Sequence, residues 1–265
     1  MSTAPKFLAA TMALTFALST AAQSASAAVA DVSIVLVHGA LIDGSSWRGV
    51  YDVLAKDGYR VSIVQPPLSG LDADVAATKR VLDQQQGPVI LVGNSFGGSI
   101  ITEAGVDSKV KALVYVAALQ PDVGETSAEV SQTKKTASDD LRPTKDGYIF
   151  LDPAKFATFS ADIPKAQDEY MARSQMPILG SAFNTKLTAA AWRDKPSYVI
   201  IATEDRLLDQ AIARQMAARA KSKVTVLKGS HFIHISNPKA VAQVIESAAR
   251  AVESTGPHSG FHSRD

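Results

Sequence analysis

The alternation of two kinds of segment constrains the fold of this chain more than any other feature of its sequence. Six segments rich in β-branched residues are typical of buried strands, at residues 32–37, 59–64, 89–92, 110–118, 198–202 and 224–227. Segments of helical periodicity follow them, at residues 47–56, 74–86, 96–104, 208–220 and 238–252. Strands that alternate with helices form βαβ units with right-handed crossovers. The pattern predicts an α/β fold with an about six-stranded, mostly parallel sheet flanked by helices.

One long segment, at about residues 120–195, interrupts this alternation. It is too long for a plain connection, and it contains helix-like pieces such as residues 162–173 rather than strands. We therefore expect an inserted helical cap over one end of the sheet. The whole domain is expected at residues 28–254, and the Ser-, Gly- and His-containing tail at residues 255–265 is expected to be disordered.

The first residues have the pattern of an export signal. Lys6 precedes an apolar run at residues 7–18, and Ala25-Ser26-Ala27 has the form of a signal-peptidase site. About a dozen residues cannot span ~30 Å of hydrocarbon, so we expect no stable membrane anchor. Residues 1–27 are expected to direct export to the periplasm or the medium, the alternative being an uncleaved amphipathic or disordered N-terminus.

Composition narrows the classes of partner. The chain has 27 basic and 26 acidic residues, for a formal net charge of +1. Nucleic acids and anionic membranes need a concentrated positive field, so we expect no nucleic-acid partner, but a small, weakly charged molecule and a monomer or homodimer. The absence of cysteine excludes disulfides, thiolate nucleophiles and cysteine metal sites. No spacing of His, Asp and Glu indicates a metal site.

The strongest motif is the run from Gly93 to Gly98, Gly-Asn-Ser-Phe-Gly-Gly, which matches G-x-S-x-G between a strand and a helix. The glycines two residues before and after Ser95 permit a tight turn. The following helix N-terminus favours developing negative charge. A phosphate-binding turn is the alternative, but the run lacks the P-loop Lys-Ser/Thr and a G-x-G-x-x-G pattern. The motif predicts Ser95 as a nucleophile.

A serine nucleophile needs a base, and five histidines are available. Two lie in the tail, and His38 follows the first strand, where we expect it to shape the backbone. His231 and His234 follow the last strand, whose carboxyl end lies at the same edge of a parallel sheet as Ser95. His231 comes first after a glycine turn and is predicted to be the base. His234 is expected to be structural or at the pocket rim.

The base needs an acidic partner, and the hydrolase chain order is serine, acid, histidine. The strand at residues 198–202 is followed by Thr-Glu-Asp, and Asp205 is the predicted acid. Glu204 is its nearest rival, and Asp122 is a weaker one.

An oxyanion hole needs two N–H donors directed at the developing alkoxide. The residue after the nucleophile supplies one, which is the amide of Phe96. The loop after the first strand supplies the other, and because Gly39 allows close backbone approach, the amide of Ala40 is predicted.

Four segments together resemble the α/β-hydrolase superfamily, at residues 35–47, 91–98, 202–206 and 229–238. They are most similar to a bacterial branch related to the plant methylesterases and hydroxynitrile lyases. The resemblance implies an α/β-hydrolase fold, a helical cap, a Ser-His-Asp triad and no cofactor. Carried over by position, the triad falls on Ser95, Asp205 and His231, and the oxyanion amides fall on Ala40 and Phe96.

Three positions refine the expected chemistry. Asn94 stands where many members of the family carry histidine, which need not alter the mechanism. Phe232 follows the histidine where hydroxynitrile lyases use lysine, which counts against that lyase chemistry. Ser95 stands at the nucleophile position where dehalogenases and epoxide hydrolases need aspartate, which excludes those mechanisms.

The sequence thus predicts a serine hydrolase of the carboxylesterase type that cleaves small apolar esters through an acyl-enzyme. A lyase or C–C bond hydrolase on the same fold, and a small-molecule binding protein without turnover, are the alternatives. Large apolar side chains of the cap either form an acyl or aryl pocket or attach the cap to the core; they are Tyr148, Phe150, Phe156, Phe159, Met171, Met176, Phe183 and Trp192.

Overall fold

A computed structural model describes Met1, residues 31–131 and residues 139–254. The expected export signal at residues 1–27, Met1 apart, and the expected disordered tail at residues 255–265 lie outside the described residues.

The main sheet has six strands in the order β2-β1-β3-β4-β8-β9. Their bounds are β1 Ser33–Val37, β2 Arg60–Val64, β3 Val89–Asn94, β4 Val110–Val116, β8 Ser197–Ala202 and β9 Lys223–Leu227. Every neighbouring pair is parallel, which confirms the predicted sheet. The strand order reverses between β1 and β3, and in open α/β sheets ligands bind outside the carboxyl ends of the strands at such a point.

Helices cover both faces of the sheet. The described helices are α1 Arg48–Lys56, α2 Leu71–Asp83, α3 Gly97–Ala104, α4 Ser127–Ser131, α5 Lys165–Arg173, α6 Gln210–Arg219, α7 Ile233–Ser236 and α8 Pro238–Glu253. Along β1, Ile34 and Leu36 pack in one buried cluster with α1 and α8, while Val35 and Val37 pack in the other with α2, α3 and α6. A parallel strand buried on both faces is expected to be almost entirely apolar, and in this one only Ser33, its first residue, is polar.

Two helix starts differ from the prediction. Residues 44–47 form a 3₁₀ turn before α1, and Asp43 caps it by accepting a hydrogen bond from the Ser45 N–H at 2.7 Å. Helix α2 begins at Leu71 rather than at the predicted residue 74, directly after Gly70 at φ 143°, and Leu71 is buried.

The cap lies between β4 and β8, and it is not purely helical. It contains the predicted helix as α5, but also a three-stranded antiparallel sheet of β5 Leu141–Pro143, β6 Tyr148–Leu151 and β7 Ile178–Leu179. The expectation that this segment holds no strands is therefore wrong. These strands have three, four and two residues, too few for a period-two pattern to be read from the sequence.

Three of the eight large cap side chains are buried and attach the cap to the main domain; they are Phe156, Phe159 and Trp192. Phe156 and Phe159 are buried in a cluster with Leu41 and Phe232 of the main domain. Trp192 is buried and donates from its ring N–H to the carbonyl of Pro121 at 2.8 Å. Across the described ranges, no helix is both long enough and apolar enough to cross a bilayer.

Candidate active site

Ser95 occupies a strained turn between β3 and α3. Its φ is 53°, in the left-handed region that non-glycine residues rarely adopt. The two motif glycines have no room for a side chain: a Cβ on Gly93 would lie 2.5 Å from the Gly97 carbonyl oxygen, and a Cβ on Gly97 would lie 2.7 Å from the Val37 carbonyl oxygen. This close approach explains why the motif requires glycine on both sides of the serine.

Hydrogen bonds fix both the carbonyl group and the N–H group of the Ser95 backbone. Its carbonyl accepts hydrogen bonds from the amides of Gly98 at 2.9 Å and Leu119 at 3.1 Å. Its own N–H donates to the carbonyl of Val116 at 3.4 Å. The strained conformation is thus maintained by β4, by the segment after it and by the first turn of α3.

His231 and Asp205 form a buried hydrogen-bonded pair. His231 Nδ1 lies 2.8 Å from Asp205 Oδ2, and the residues are 3% and 8% exposed. Asp205 Oδ1 accepts from the amides of Leu207 at 2.8 Å and Leu208 at 2.9 Å. Both carboxylate oxygens are therefore engaged. A carboxylate at Nδ1 favours the tautomer with the proton on that nitrogen, which leaves Nε2 able to accept one.

The two rival acids do not contact His231. Glu204 is exposed, and its carboxylate lies 3.9 Å from the ammonium of Lys228. Asp122 accepts two hydrogen bonds from the guanidinium of Arg193, at 2.7 and 2.9 Å, and these bonds lower the pKa of its carboxyl. Of the three acids considered from the sequence, the structure pairs Asp205 with His231.

Ser95 and His231 line one cavity of about 700 Å³, its open mouth included, which we call the nucleophile cavity. The remaining lining is mainly apolar and consists of Ala40, Leu41, Ala117, Leu119, Ser131, Leu141, Phe183, Leu207, Leu208 and Phe232. Among the described residues, no hydrogen bond joins Ser95 Oγ to His231. Such contacts are often long without substrate and shorten in the Michaelis complex.

The predicted oxyanion amides lie beside this serine. A Cβ on Gly39 would be 2.7 Å from the Cβ of Ser95, so glycine there lets the loop after β1 approach the nucleophile. Ala40 lines the nucleophile cavity, and Phe96 directly follows the serine. Within residues 31–131 and 139–254, neither the Ala40 N–H nor the Phe96 N–H donates to a protein acceptor. Both amides are therefore available to a ligand.

The other two histidines of the domain are buried behind the cavity. His38 contacts the carbonyl of Gly39 through Nδ1 at 2.9 Å, which agrees with a role in shaping the backbone, and burial lowers its pKa. His234 is fully buried, with its ring centroid 4.4 Å from that of Trp47, and burial lowers its pKa to about 3. His234 is thus a neutral core residue rather than a pocket-rim residue. The described part of the chain has no group of three or more His, Asp or Glu residues that could hold a metal ion.

Sequence reasoning missed two features around the site. The cap residue Asp162 accepts hydrogen bonds from the Ser230 N–H at 2.9 Å and the Ser236 hydroxyl at 2.6 Å. Partial burial acts to raise the pKa of Asp162, but the hydrogen bonds outweigh it and the pKa is lowered. Leu41, beside the predicted oxyanion residue, adopts φ 69°. No local pattern in the sequence indicates either feature.

Comparison with known proteins places this architecture in a family. Residues 34–244 match the model of the Alpha/beta hydrolase family. The alpha/beta hydrolase nvfD of Aspergillus novofumigatus is 26% identical over 243 residues, which cover 82% of this chain and 96% of that protein. A pyrethroid hydrolase of Sphingobium wenxiniae is 26% identical over 251 residues, which cover 82% of this chain and 88% of that protein.

A solved plant structure shares the fold. The crystal structure of a methylesterase from Arabidopsis has a TM-score of 0.68 and 21% sequence identity, and the match covers 84% of this chain and 99% of that one. At this identity the likeness concerns the fold alone. With its parallel sheet, its cap and a family match over most of its length, the chain belongs to the alpha/beta hydrolase family.

Proposed function

We propose that the protein is a serine hydrolase of the carboxylesterase type, which cleaves small apolar carboxylic esters through an acyl-enzyme. Ser95 is the nucleophile, His231 the general base, Asp205 the residue that orients it, and the amides of Ala40 and Phe96 the oxyanion donors. One observation carries the proposal: His231, which is hydrogen-bonded to the buried Asp205, lines the same cavity as the strained Ser95.

In the first half of the reaction, Ser95 Oγ attacks the ester carbonyl carbon and His231 Nε2 takes the hydroxyl proton. The carbonyl oxygen becomes an alkoxide, which the two free amides stabilise as hydrogen-bond donors. Asp205 stabilises the imidazolium without itself taking the proton. The tetrahedral intermediate collapses, the bond to the alcohol oxygen breaks, and the imidazolium protonates the departing alcohol.

In the second half, His231 takes a proton from water, and the resulting nucleophile attacks the acyl carbon bound to Ser95. The same two amides stabilise the second alkoxide. Collapse breaks the bond to Ser95 Oγ, to which His231 returns the proton, and the carboxylic acid is released. Water thus supplies the hydroxyl of the acid, and the enzyme returns to its starting state.

The nature of the cavity supports an apolar ester. Twelve residues line the cavity. Apart from the predicted nucleophile and base, the other ten carry no charge. Volumes of about 300 to 1,000 Å³ are typical of small-molecule sites, and this cavity falls in that range. The relative from Sphingobium wenxiniae is named a pyrethroid hydrolase, and that name supports hydrolysis as the reaction class here.

The test is hydrolysis of p-nitrophenyl acetate, butyrate and octanoate by the protein and by Ser95→Ala. We expect turnover that falls by several orders of magnitude in the variant, since the members of such a triad act as a unit. Absence of turnover on all three esters, or turnover that survives in Ser95→Ala, would contradict the proposal. In that case cyanohydrin and diketone substrates would test the lyase and C–C hydrolase alternatives, and ligand-induced thermal stabilisation without product would test the binding protein.

We also propose that residues 1–27 direct export and that the mature protein acts as a monomer or homodimer in the periplasm or the medium. The leader composition supports the first statement. Intact mass of the protein recovered from the periplasm and the medium tests both the cleavage and the compartment, and light scattering of that material gives its oligomeric state. Recovery of the uncleaved chain in the cytoplasm would contradict export.

A further inference from the structure

A second cavity adjoins the nucleophile cavity, and Leu41 is the residue that lines both. It encloses about 390 Å³, its open mouth included, where the cap meets the main domain. We call it the seam cavity. Its lining comes from the segment after β1, from α5 and from α7, and consists of Leu41, Ile42, Asp43, Ser45, Ser46, Gln167, Tyr170, Met171, Ser174 and Ile235.

Leu41 is held in an unusual backbone conformation at this boundary. Its φ is 69°, in the left-handed region that non-glycine residues rarely adopt and that persists only where the surrounding structure imposes it. The cap supplies one such contact, since the Leu41 N–H donates to the carbonyl of Met176 at 3.1 Å. The preceding residue, Ala40, lines the nucleophile cavity with Ser95, and its N–H has no acceptor within residues 31–131 and 139–254. Strain of this kind occurs preferentially at functional sites.

The boundary between the two cavities is apolar. The Leu41 side chain is 8% exposed and packs in one cluster with Phe232, which lines the nucleophile cavity. Met171 and Ile235, which line the seam cavity, pack against the same cluster. Further out, Tyr170 is 66% exposed, an unusual exposure for an aromatic ring. An apolar chain that passes Leu41 would therefore find the apolar side chains of Met171 and Ile235 and the Tyr170 ring, in a cavity where five of the ten lining residues are polar.

We propose that the seam cavity is a second substrate compartment, and that Leu41 is the specificity-determining residue that separates it from the nucleophile cavity. The substrate class is carboxylic esters with an extended apolar group, whose reacting end lies at Ser95 and whose far end passes Leu41. This inference rests on the proposed ester hydrolysis and deepens it, because it proposes that one side chain, that of Leu41, limits the length of the esters that the site accepts.

The test compares Leu41→Ala with the unmodified protein on two ester series. In one series the acyl chain grows from acetate to dodecanoate with p-nitrophenol as the alcohol. In the other, the alcohol chain grows from methyl to decyl with acetate as the acid. Each methylene that becomes buried contributes about fourfold to kcat/KM, so two methylenes correspond to on the order of tenfold. We expect Leu41→Ala to raise the long-to-short ratio of kcat/KM by at least that amount in one series, which identifies the group that passes Leu41.

Two further variants separate an opened boundary from a merely larger cavity. Leu119→Ala removes a side chain of the same size that lines the nucleophile cavity but not the seam cavity. Ser174→Phe places a ring in the seam cavity, because the Ser174 side chain lines that cavity alone. In the double variant with Leu41→Ala, we expect Ser174→Phe to cancel the gain in kcat/KM for long esters. In the double variant with Leu119→Ala, we expect Ser174→Phe to leave the effect of Leu119→Ala unchanged.

Leu41→Met provides the folding control, since it keeps the side-chain volume and a non-glycine residue at the strained position. It should retain the chain-length profile of the unmodified protein. An unchanged long-to-short ratio in Leu41→Ala, or a gain that Ser174→Phe does not remove, would overturn the inference while Ser95-dependent hydrolysis of short esters still stood. If the unmodified protein hydrolysed none of these esters, that result would instead count against the proposed function.

Discussion

Asp162 of the cap accepts a hydrogen bond at 2.9 Å from the backbone N–H of Ser230, the residue that precedes His231. The same carboxylate oxygen accepts the hydroxyl of Ser236, at the end of α7, at 2.6 Å. Part of Asp162 stays in contact with solvent, whereas Ser230 is buried. One cap residue therefore contacts the segment that carries His231 on both sides of the histidine, so the position of the cap and the position of the proposed base are linked.

The first prediction concerns this link. Asp162→Ala removes both hydrogen bonds, and small misplacements of a catalytic group are costly, so we expect kcat to fall on the order of tenfold. KM should change much less, because Asp162 does not line the nucleophile cavity. Asp162→Asn keeps an oxygen that can accept from Ser230 and should recover most of the activity. Steady-state kinetics on p-nitrophenyl butyrate measures all three proteins.

Asp146→Ala is the matched control for that experiment. Asp146 is an exposed carboxylate of the same cap, and its side chain accepts a hydrogen bond from the hydroxyl of Thr144 within the turn before β6. Its removal should leave kcat and KM near those of the unmodified protein. Equal losses in Asp146→Ala and Asp162→Ala would mean that cap charge, and not the contact with the His231 segment, affects the rate.

The second prediction tests the proposed acid against its rivals. Asp205→Asn should lower kcat by on the order of 10³–10⁴, because an amide no longer favours the proton on Nδ1 of His231 and cannot stabilise the imidazolium as a carboxylate does. Glu204→Gln should retain nearly full activity, because the Glu204 carboxylate is exposed and lies near Lys228. Single-turnover and steady-state rates of both variants decide between the two acids. A loss confined to Glu204→Gln would reverse the assignment.

The candidate site was accessible from the sequence because its parts follow strand ends. Parallel strands bring their carboxyl ends to one edge, so the strand and helix pattern placed the loops of Ser95, Asp205 and His231 together before any distance was known. The glycine spacing added the turn conformation, which the structure shows as φ 53° at Ser95. Periodicity and glycine spacing are local signals, and they can therefore be read from the sequence alone.

The cap was less accessible, for a physical reason. Its strands β5, β6 and β7 are stabilised by pairing with one another, and β6 and β7 meet across 26 residues of intervening chain from Leu151 to Ile178. Strands of two to four residues carry no periodic pattern of their own. Likewise, the contact of Asp162 with Ser230 joins residues 68 positions apart. Features that depend on such distant contacts leave no local signature.

The third prediction concerns a buried acid away from the site. Asp74 is 0% exposed, and burial raises the pKa of its carboxyl from 3.8 to about 7. The folded state therefore holds a proton that the unfolded state releases, so the stabilisation present below pH 3.8 is lost progressively as the pH rises to about 7. Asp74→Asn cannot ionise, and its unfolding free energy should fall less than that of the unmodified protein between pH 5 and pH 8. Urea unfolding at several pH values across that interval measures the difference.

The Leu68 N–H donates a hydrogen bond to Asp74 Oδ1 at 2.6 Å. Asp74→Asn keeps a side-chain oxygen that can accept this hydrogen bond. Leu68 in turn accepts from the amide of the cap residue Leu179 at 2.8 Å, so the substitution should leave this contact intact. Asp83→Asn, at the exposed end of the same helix, is the control and should follow the unmodified protein. Parallel pH dependences for Asp74→Asn and the unmodified protein would show that Asp74 ionises normally in the fold.

The fourth prediction has the opposite pH dependence. Burial lowers the pKa of His234 from 6.5 to about 3, so the unfolded state binds a proton that the folded state does not. Its contribution to stability is therefore full above pH 6.5 and is lost as the pH falls towards 3. His234→Leu removes a ring whose two nitrogens have no hydrogen-bond partner within the described chain.

We expect the His234→Leu variant to lose less stability than the unmodified protein between pH 7 and pH 4. We also expect its Ser95-dependent esterase activity at pH 7 to persist. Thermal unfolding over that range measures the first effect, and equal acid sensitivity of the two proteins would show that His234 is protonated in the folded state.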